Sequence, residues 1–138
     1  MKTNIYFPLL MYSSLIFITN VVTAFYKKYY IYSFLFLCLT ITSLIFHYNN
    51  NIYTNILDKI FVFAVVFYGG NMLYHKTTTD NQISVLLIVI TFISCIFLFI
   101  YGYYVKDYCY HPDKHVANKY HSILHIISSL GHHLITFL

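Results

Sequence analysis

Apolar positions along this chain gather into five long runs, which short polar stretches separate. Each run has about the 20 residues that an α-helix needs to cross the hydrocarbon core of a bilayer. Because backbone groups in lipid must be hydrogen-bonded within their own segment, the runs predict helices and not strands. The predicted helices cover residues 5–25, 29–48, 52–74, 83–105 and 120–138.

The composition is also that of a membrane protein, since 59% of the residues are hydrophobic and only 9% are charged. So few charges cannot cover the surface of a soluble domain of this length. We therefore predict an all-α integral membrane bundle of five transmembrane helices, forming one domain over residues 1–138. The net charge of +4 suits loops near lipid headgroups and does not indicate nucleic-acid binding.

The first run has a second interpretation. Lys2, the apolar stretch and the small residues at 22–24 also fit a secretory signal peptide. The apolar core of about 21 residues is longer than the core of such a peptide, so we expect a retained helix. The lysines favour the amino-terminal side of the bundle, which predicts that this side is cytoplasmic. The compartment stays open between an ER- or Golgi-type membrane and a viral one.

Three of the runs place polar side chains at a similar depth on one side of the membrane. His47 ends the second helix, and Ser43 lies one turn earlier on the same face, about 6 Å deeper. Asp58 lies about two turns into the third helix. His121 and His125 lie one turn apart on one face of the fifth helix. Ionisable groups in a bilayer are costly and tend to face the bundle interior, so we expect these side chains to meet.

Three neutral imidazoles are good ligands for Zn²⁺, and a zinc site with three protein ligands keeps a fourth position for water. Zinc lowers the pKa of such a water toward about 7. Asp58 could accept the water proton as a general base, and Ser43 could donate a hydrogen bond to a developing oxyanion. The cluster therefore predicts hydrolysis of an acyl bond.

Each of these residues has a simpler interpretation when it is considered alone. Two histidines one turn apart on a membrane helix can be an interhelical hydrogen-bonding pair. Asp58 can be the partner of the adjacent Lys59, and Ser43 can bond to carbonyls of its own helix. The agreement in depth between three separate helices favours the metal site.

These residues resemble the motif of the CREST superfamily of membrane hydrolases, which includes alkaline ceramidases, adiponectin-type receptors and GPI-lipid remodelling proteins. That motif has a serine, a histidine four residues later, an aspartate in the next helix and His-x-x-x-His in the last helix. It reads here as Ser43, His47, Asp58 and His121-Ser-Ile-Leu-His125. The step from His47 to Asp58 is similar to that of the ceramidase and GPI-remodelling branches.

The resemblance implies that His47, His121 and His125 bind zinc. It also implies that Asp58 and Ser43 interact with the zinc-bound water. It also implies a core of seven helices, of which this chain would be a shortened five-helix form. Two helices between Asp58 and His121 have no counterpart. We therefore expect a pocket that is open to lipid or is completed by another chain, such as a second copy in a homo-oligomer.

The predicted function is zinc-dependent hydrolysis of an acyl bond in a membrane lipid, first of all the amide of a ceramide-like molecule. The alternative enzymatic function is that of an ester hydrolase of the phospholipase type, which would act on GPI lipids or glycerolipids. The alternative to an enzyme is a non-enzymatic membrane protein with a structural metal site.

Four further features have plain structural interpretations. The histidines, aspartates and Cys109 between residues 106 and 119 predict a solvated loop in preference to a second metal site. His132 and His133 are expected at the opposite membrane interface. The pair Gly69-Gly70 predicts close helix packing. The asparagines at 49–51 predict a turn.

Overall fold

A computed structural model describes residues 7–138, and backbone alone is described for residues 7 and 8. The described chain is all helical. The main helices are α1 (Phe7–Ser14), α2 (Phe17–Tyr26), α3 (Tyr30–Tyr48), α4 (Ile52–Lys76), α5 (Gln82–Ile96), α6 (Gly102–Val105) and α7 (Lys114–Phe137). The predicted start of the first helix at residue 5 and the position of Lys2 lie outside the described residues.

Within the described range, four segments are long and apolar enough to cross a membrane, namely Leu9–Tyr26, Tyr30–Tyr48, Ile52–Lys76 and Thr79–Val105. They match the first four predicted spans. The fifth predicted helix also forms, as α7, but it is not among these four segments because its histidines and serines lower its hydropathy. It begins six residues before the predicted start, where the Asp113 side chain accepts a hydrogen bond from the backbone N–H of His115.

The outer surface of the bundle is strongly apolar. Phe67 on α4 is 74% exposed, and Ile83 on α5 is 78% exposed. A soluble monomer seldom exposes such large continuous apolar patches, whereas a bilayer solvates them at no cost. The fold and its surface therefore fit a multi-pass integral membrane protein.

The first predicted helix is broken in two between α1 and α2. The hydroxyls of Ser13 and Ser14 both donate to the carbonyl of Leu10, at 3.0 and 2.8 Å. Hydroxyls that bond back onto their own helix in this way often bend it. The break lies where α1 packs against α7, so it directs both serines toward the polar interior.

The connections are built as their sequences indicate. Asn51 caps α4 by accepting from the backbone N–H groups of Tyr53 and Thr54, so the predicted asparagine turn is confirmed. The span from Thr79 to Val105 contains a π-helical turn, Phe97–Tyr101, and ends at Lys106 with a positive φ of 58°.

Helix α7 lies against α1, α2 and α5, while α3 packs between α2 and α4. Helices α4 and α5 are not a closely packed pair, and α4 meets α7 at few positions. This arrangement leaves a cavity of about 350 Å³ between α4 on one side and α5 and α7 on the other.

Candidate metal centre

Two helices bring three imidazoles together beside this cavity, and two of them, His121 and His125, line it. His47 comes from the last turn of α3, and His121 and His125 come from α7. Their ring centroids lie 5.2 Å (His47–His121), 5.5 Å (His47–His125) and 4.8 Å (His121–His125) apart. One nitrogen from each ring lies within 4.8 Å of the other two. The structure therefore places the three histidines close enough to share one ion.

The distances fit a tetrahedral ion after a small inward rotation of the rings. Nitrogen ligands at about 2.0–2.1 Å from zinc lie about 3.4 Å from one another. His47 and His125 are buried, and the Nε2 atom of His47 has no hydrogen-bond partner among the described residues. A buried ring nitrogen without a partner costs free energy unless something binds it. A divalent cation would satisfy it, so these residues fit a metal ion.

Ser13 contacts one ring nitrogen of His125 and so orients the ring. Its hydroxyl donates to the carbonyl of Leu10 and lies 2.8 Å from Nδ1 of His125. Because the hydroxyl proton is already used, the serine oxygen accepts from Nδ1–H, which leaves the Nε2 lone pair of His125 for a ligand. Metal-binding histidines are usually fixed in this way by a partner on the other nitrogen.

Asp58 lies on the same cavity, and 3% of its surface is exposed. Its Oδ2 atom pairs with Nζ of Lys59 at 2.8 Å, so the simpler interpretation of Asp58 as a lysine partner is true of this oxygen. The Oδ1 atom is buried and has no partner within residues 7–138. One oxygen of the carboxylate is therefore anchored, and the other is free to accept a proton.

Ser43 is buried beside these groups and also lines the cavity. Its hydroxyl lies 3.3 Å from that of Ser14, and no hydrogen bond to its own helix is formed. The Ser14 hydroxyl donates to Leu10, so the Ser43 hydroxyl is the donor between the two serines. The structure thus brings all five predicted site residues to one region.

The sequence analysis missed Ser13 and Ser14. The available signal was two adjacent hydroxyls in an otherwise apolar run at a matching depth. The packing of α1 on α7, which makes them useful, could not be read from one sequence.

The other predicted features resolve into structural roles. Within the described chain, the three histidines form the single group of potential ligands close enough to share an ion, so the loop at 106–113 holds no second cluster. Burial raises the pKa of the Cys109 thiol in this loop to about 12, with Cys95 as a further cause, and a protonated thiol is a poor ligand.

His132 and His133 differ from the expected pair of interfacial residues. His132 points inward, where Nδ1 contacts the hydroxyl of Tyr32 and the ring packs edge-on against Phe36. His133 bonds to the hydroxyls of Thr19 and Thr23. The prediction failed for His132 because the apolar run around it gave no sign of the buried tyrosine on α3.

Comparisons with known proteins add no family. No protein-family model matches the chain, and neither curated proteins nor solved structures give a significant match. The resemblance to the CREST superfamily therefore depends on the motif residues alone.

Proposed function

We propose that this protein is a zinc-dependent membrane hydrolase that cleaves an acyl bond of a lipid, first of all an amide of the ceramide type. The observation that carries the proposal is the meeting of three histidine nitrogens within 4.8 Å. Two of these histidines, His121 and His125, line a cavity together with Asp58 and Ser43. A structural metal clamp would need no such cavity, so its presence supports an enzyme.

His47, His121 and His125 would hold the ion. When bound, zinc supplies a Lewis acid and lowers the pKa of water toward about 7. The protein residues then handle protons and orientation. In amide hydrolysis the hydroxyl of water joins the acyl carbon, the carbon–nitrogen bond breaks, and the water proton passes to the departing amine.

Asp58 is the residue that carries this proton in the proposal. Its Oδ1 atom is free to accept the proton from water and to return it to the amine nitrogen, while Lys59 fixes the other oxygen. The Ser43 hydroxyl, which points to Ser14 in the structure, would turn to donate a hydrogen bond to the oxygen of the acyl group as negative charge develops there. Ser13 keeps His125 in the tautomer that can act as a ligand.

The remaining part of the cavity is apolar and suits an acyl chain. It follows α4, α5 and α7 through Val62, Val66, Ile88 and Ile135. The volume of about 350 Å³ lies within the range of small-molecule pockets, about 300–1,000 Å³. The loose contact between α4 and α5 would let a chain enter sideways from the membrane.

The proposal is tested with purified protein and two lipids that share one acyl chain, an N-acyl sphingoid base and a glycerophospholipid. We expect fatty acid release from the amide, loss of release after chelation and recovery on adding Zn²⁺. Preferential release from the ester would favour the phospholipase alternative. If the zinc-loaded protein releases fatty acid from neither lipid, the proposed hydrolase is wrong and the metal site is structural.

A further inference from the structure

Lys59 places a cation inside the membrane-spanning part of the protein. It follows Asp58 on α4, lines the cavity and keeps a side-chain exposure of 29%. A lysine at this depth is costly, and such residues are usually paired or functional. Its pairing with Asp58 accounts for one of the three protons on Nζ.

Two aromatic rings hold this ammonium group close to the histidines. Nζ lies 5.2 Å from the centre of the Phe46 ring and 5.3 Å from that of Phe99. The Phe46 ring in turn lies 5.2 Å from His47, and the Phe99 ring lies 6.3 Å from His121. These contacts fix the ammonium at the metal end of the cavity, although no other acceptor among the described residues bonds to Nζ.

The charges at this end do not balance once a metal is bound. Asp58 and Lys59 neutralise each other, and the three histidines bind a cation as neutral imidazoles. A divalent ion therefore leaves a net charge of about +2 in an apolar surrounding. A neutral lipid would not compensate this charge, whereas an anionic one would.

We infer that Lys59 is a specificity-determining residue that binds an anionic group, a phosphate or a carboxylate, on the lipid whose acyl chain fills the cavity. This inference rests on the proposed function. Neutral ceramide-type lipids remain substrates, and acyl lipids that carry an anionic group are the preferred ones. The two free Nζ protons form charge-assisted hydrogen bonds to the anion, which are stronger than those to a hydroxyl.

The rival explanation is that Lys59 only holds the Asp58 carboxylate in position. In that case its loss would slow hydrolysis of neutral and anionic lipids alike and would not change which amphiphile binds. Binding to metal-free protein separates the two explanations, because it needs neither zinc nor turnover.

The test measures binding of dodecyl phosphate, dodecanoate and dodecanol to chelator-treated protein by calorimetry in neutral maltoside micelles, with empty micelles subtracted. We expect the wild type to bind at least one anion about tenfold or more tightly than the alcohol. Lys59→Met should abolish this preference, and Lys59→Arg should retain it. Lys119→Met removes an exposed lysine of α7 and should leave the preference unchanged.

The outcomes distinguish this inference from the proposed function. Preference for the phosphate alone or the carboxylate alone supports the inference and names the anion. Equal binding of all three amphiphiles to the wild type, or an unchanged preference in a folded Lys59→Met protein, would overturn it. Lys59-dependent anion binding without any hydrolysis would overturn the proposed function and keep the anion site.

Discussion

The carboxylate of Asp58 has two oxygens in different situations, and this difference defines its proposed role. Lys59 holds Oδ2 at 2.8 Å, and Oδ1 is buried without a partner. A carboxylate held in this way has one oxygen for positioning and one for proton transfer. Removing the basic oxygen should therefore affect chemistry much more than metal binding.

Asp58→Asn tests this division of roles. The amide keeps the shape of the side chain but cannot accept the water proton, so we expect kcat to fall about 10²–10⁴-fold with zinc still bound. Turnover and zinc content are measured on the same purified sample. Loss of zinc in this variant would assign Asp58 to the metal itself and would contradict its role as a base.

Ser13 contacts His125 and is proposed to act on the metal through it. Ser13→Ala removes the acceptor of the Nδ1 proton of His125, so the ring loses its fixed tautomer, and zinc affinity should fall about 10–100-fold. Competition with a chromogenic chelator gives the affinity. Ser14→Ala is the matched control, because Ser14 contacts Ser43 and no histidine. Equal zinc affinity in both variants would remove Ser13 from the site.

At the scale of the helices, the site depends on how closely α3, α4 and α7 approach one another. Gly69 on α4 permits the approach at the end away from the metal. A Cβ atom there would lie 2.6 Å from the Tyr32 hydroxyl and 3.1 Å from Nδ1 of His132. The neighbouring Gly70 meets nothing within 4 Å, so the prediction of close packing is confirmed for Gly69 only.

The two glycines make a matched pair of substitutions. Gly69→Ala should destabilise the bundle by about 1–3 kcal/mol, because the buried Tyr32 ring cannot move aside without breaking its contact with His132. Gly70→Ala should be neutral or stabilise by about 0.5–1 kcal/mol, since alanine is the better helix former. Unfolding in mild detergent is followed by circular dichroism. Equal stability of the two variants would contradict the described packing.

Helix identity and length were readable from the chain because apolar runs of bilayer length have few alternatives. Which residues meet could also be predicted in part, because the depth of a residue in a membrane helix follows from its distance along the sequence from the end of that helix. The inward orientation of His132 could not be predicted, because it depends on Tyr32 from a distant part of the chain. The break at Ser13 and Ser14 and the early start of α7 have local signals, the two adjacent hydroxyls and the Asp113 cap, which the pattern of apolar runs does not include.

For the whole molecule, the loose contact between α4 and α5 leaves a cavity between these two helices. Val66 lines this cavity from α4, while the adjacent Phe67 faces outward and is 74% exposed. Access for a lipid chain and access for a small soluble substrate can therefore be altered separately.

Val66→Trp should fill the apolar end of the cavity. We expect KM to rise steeply for a long-chain lipid and to change little for a short-chain soluble analogue, because the metal end stays open. Phe67→Trp places the same indole ring on the lipid-facing side and should behave as the wild type does. If both variants hydrolyse long-chain lipid normally, the cavity is not the acyl-chain site.

The central claim is that His47, His121 and His125 hold one metal ion. Its most direct test is the metal content of the detergent-purified protein, measured by mass spectrometry for the wild type, His47→Ala, His125→Ala and the exposed His75→Ala. We expect about one zinc per chain in the wild type and in His75→Ala, and loss of zinc in His47→Ala and His125→Ala. A folded wild type without stoichiometric metal, or full zinc retention in both His47→Ala and His125→Ala, would contradict it.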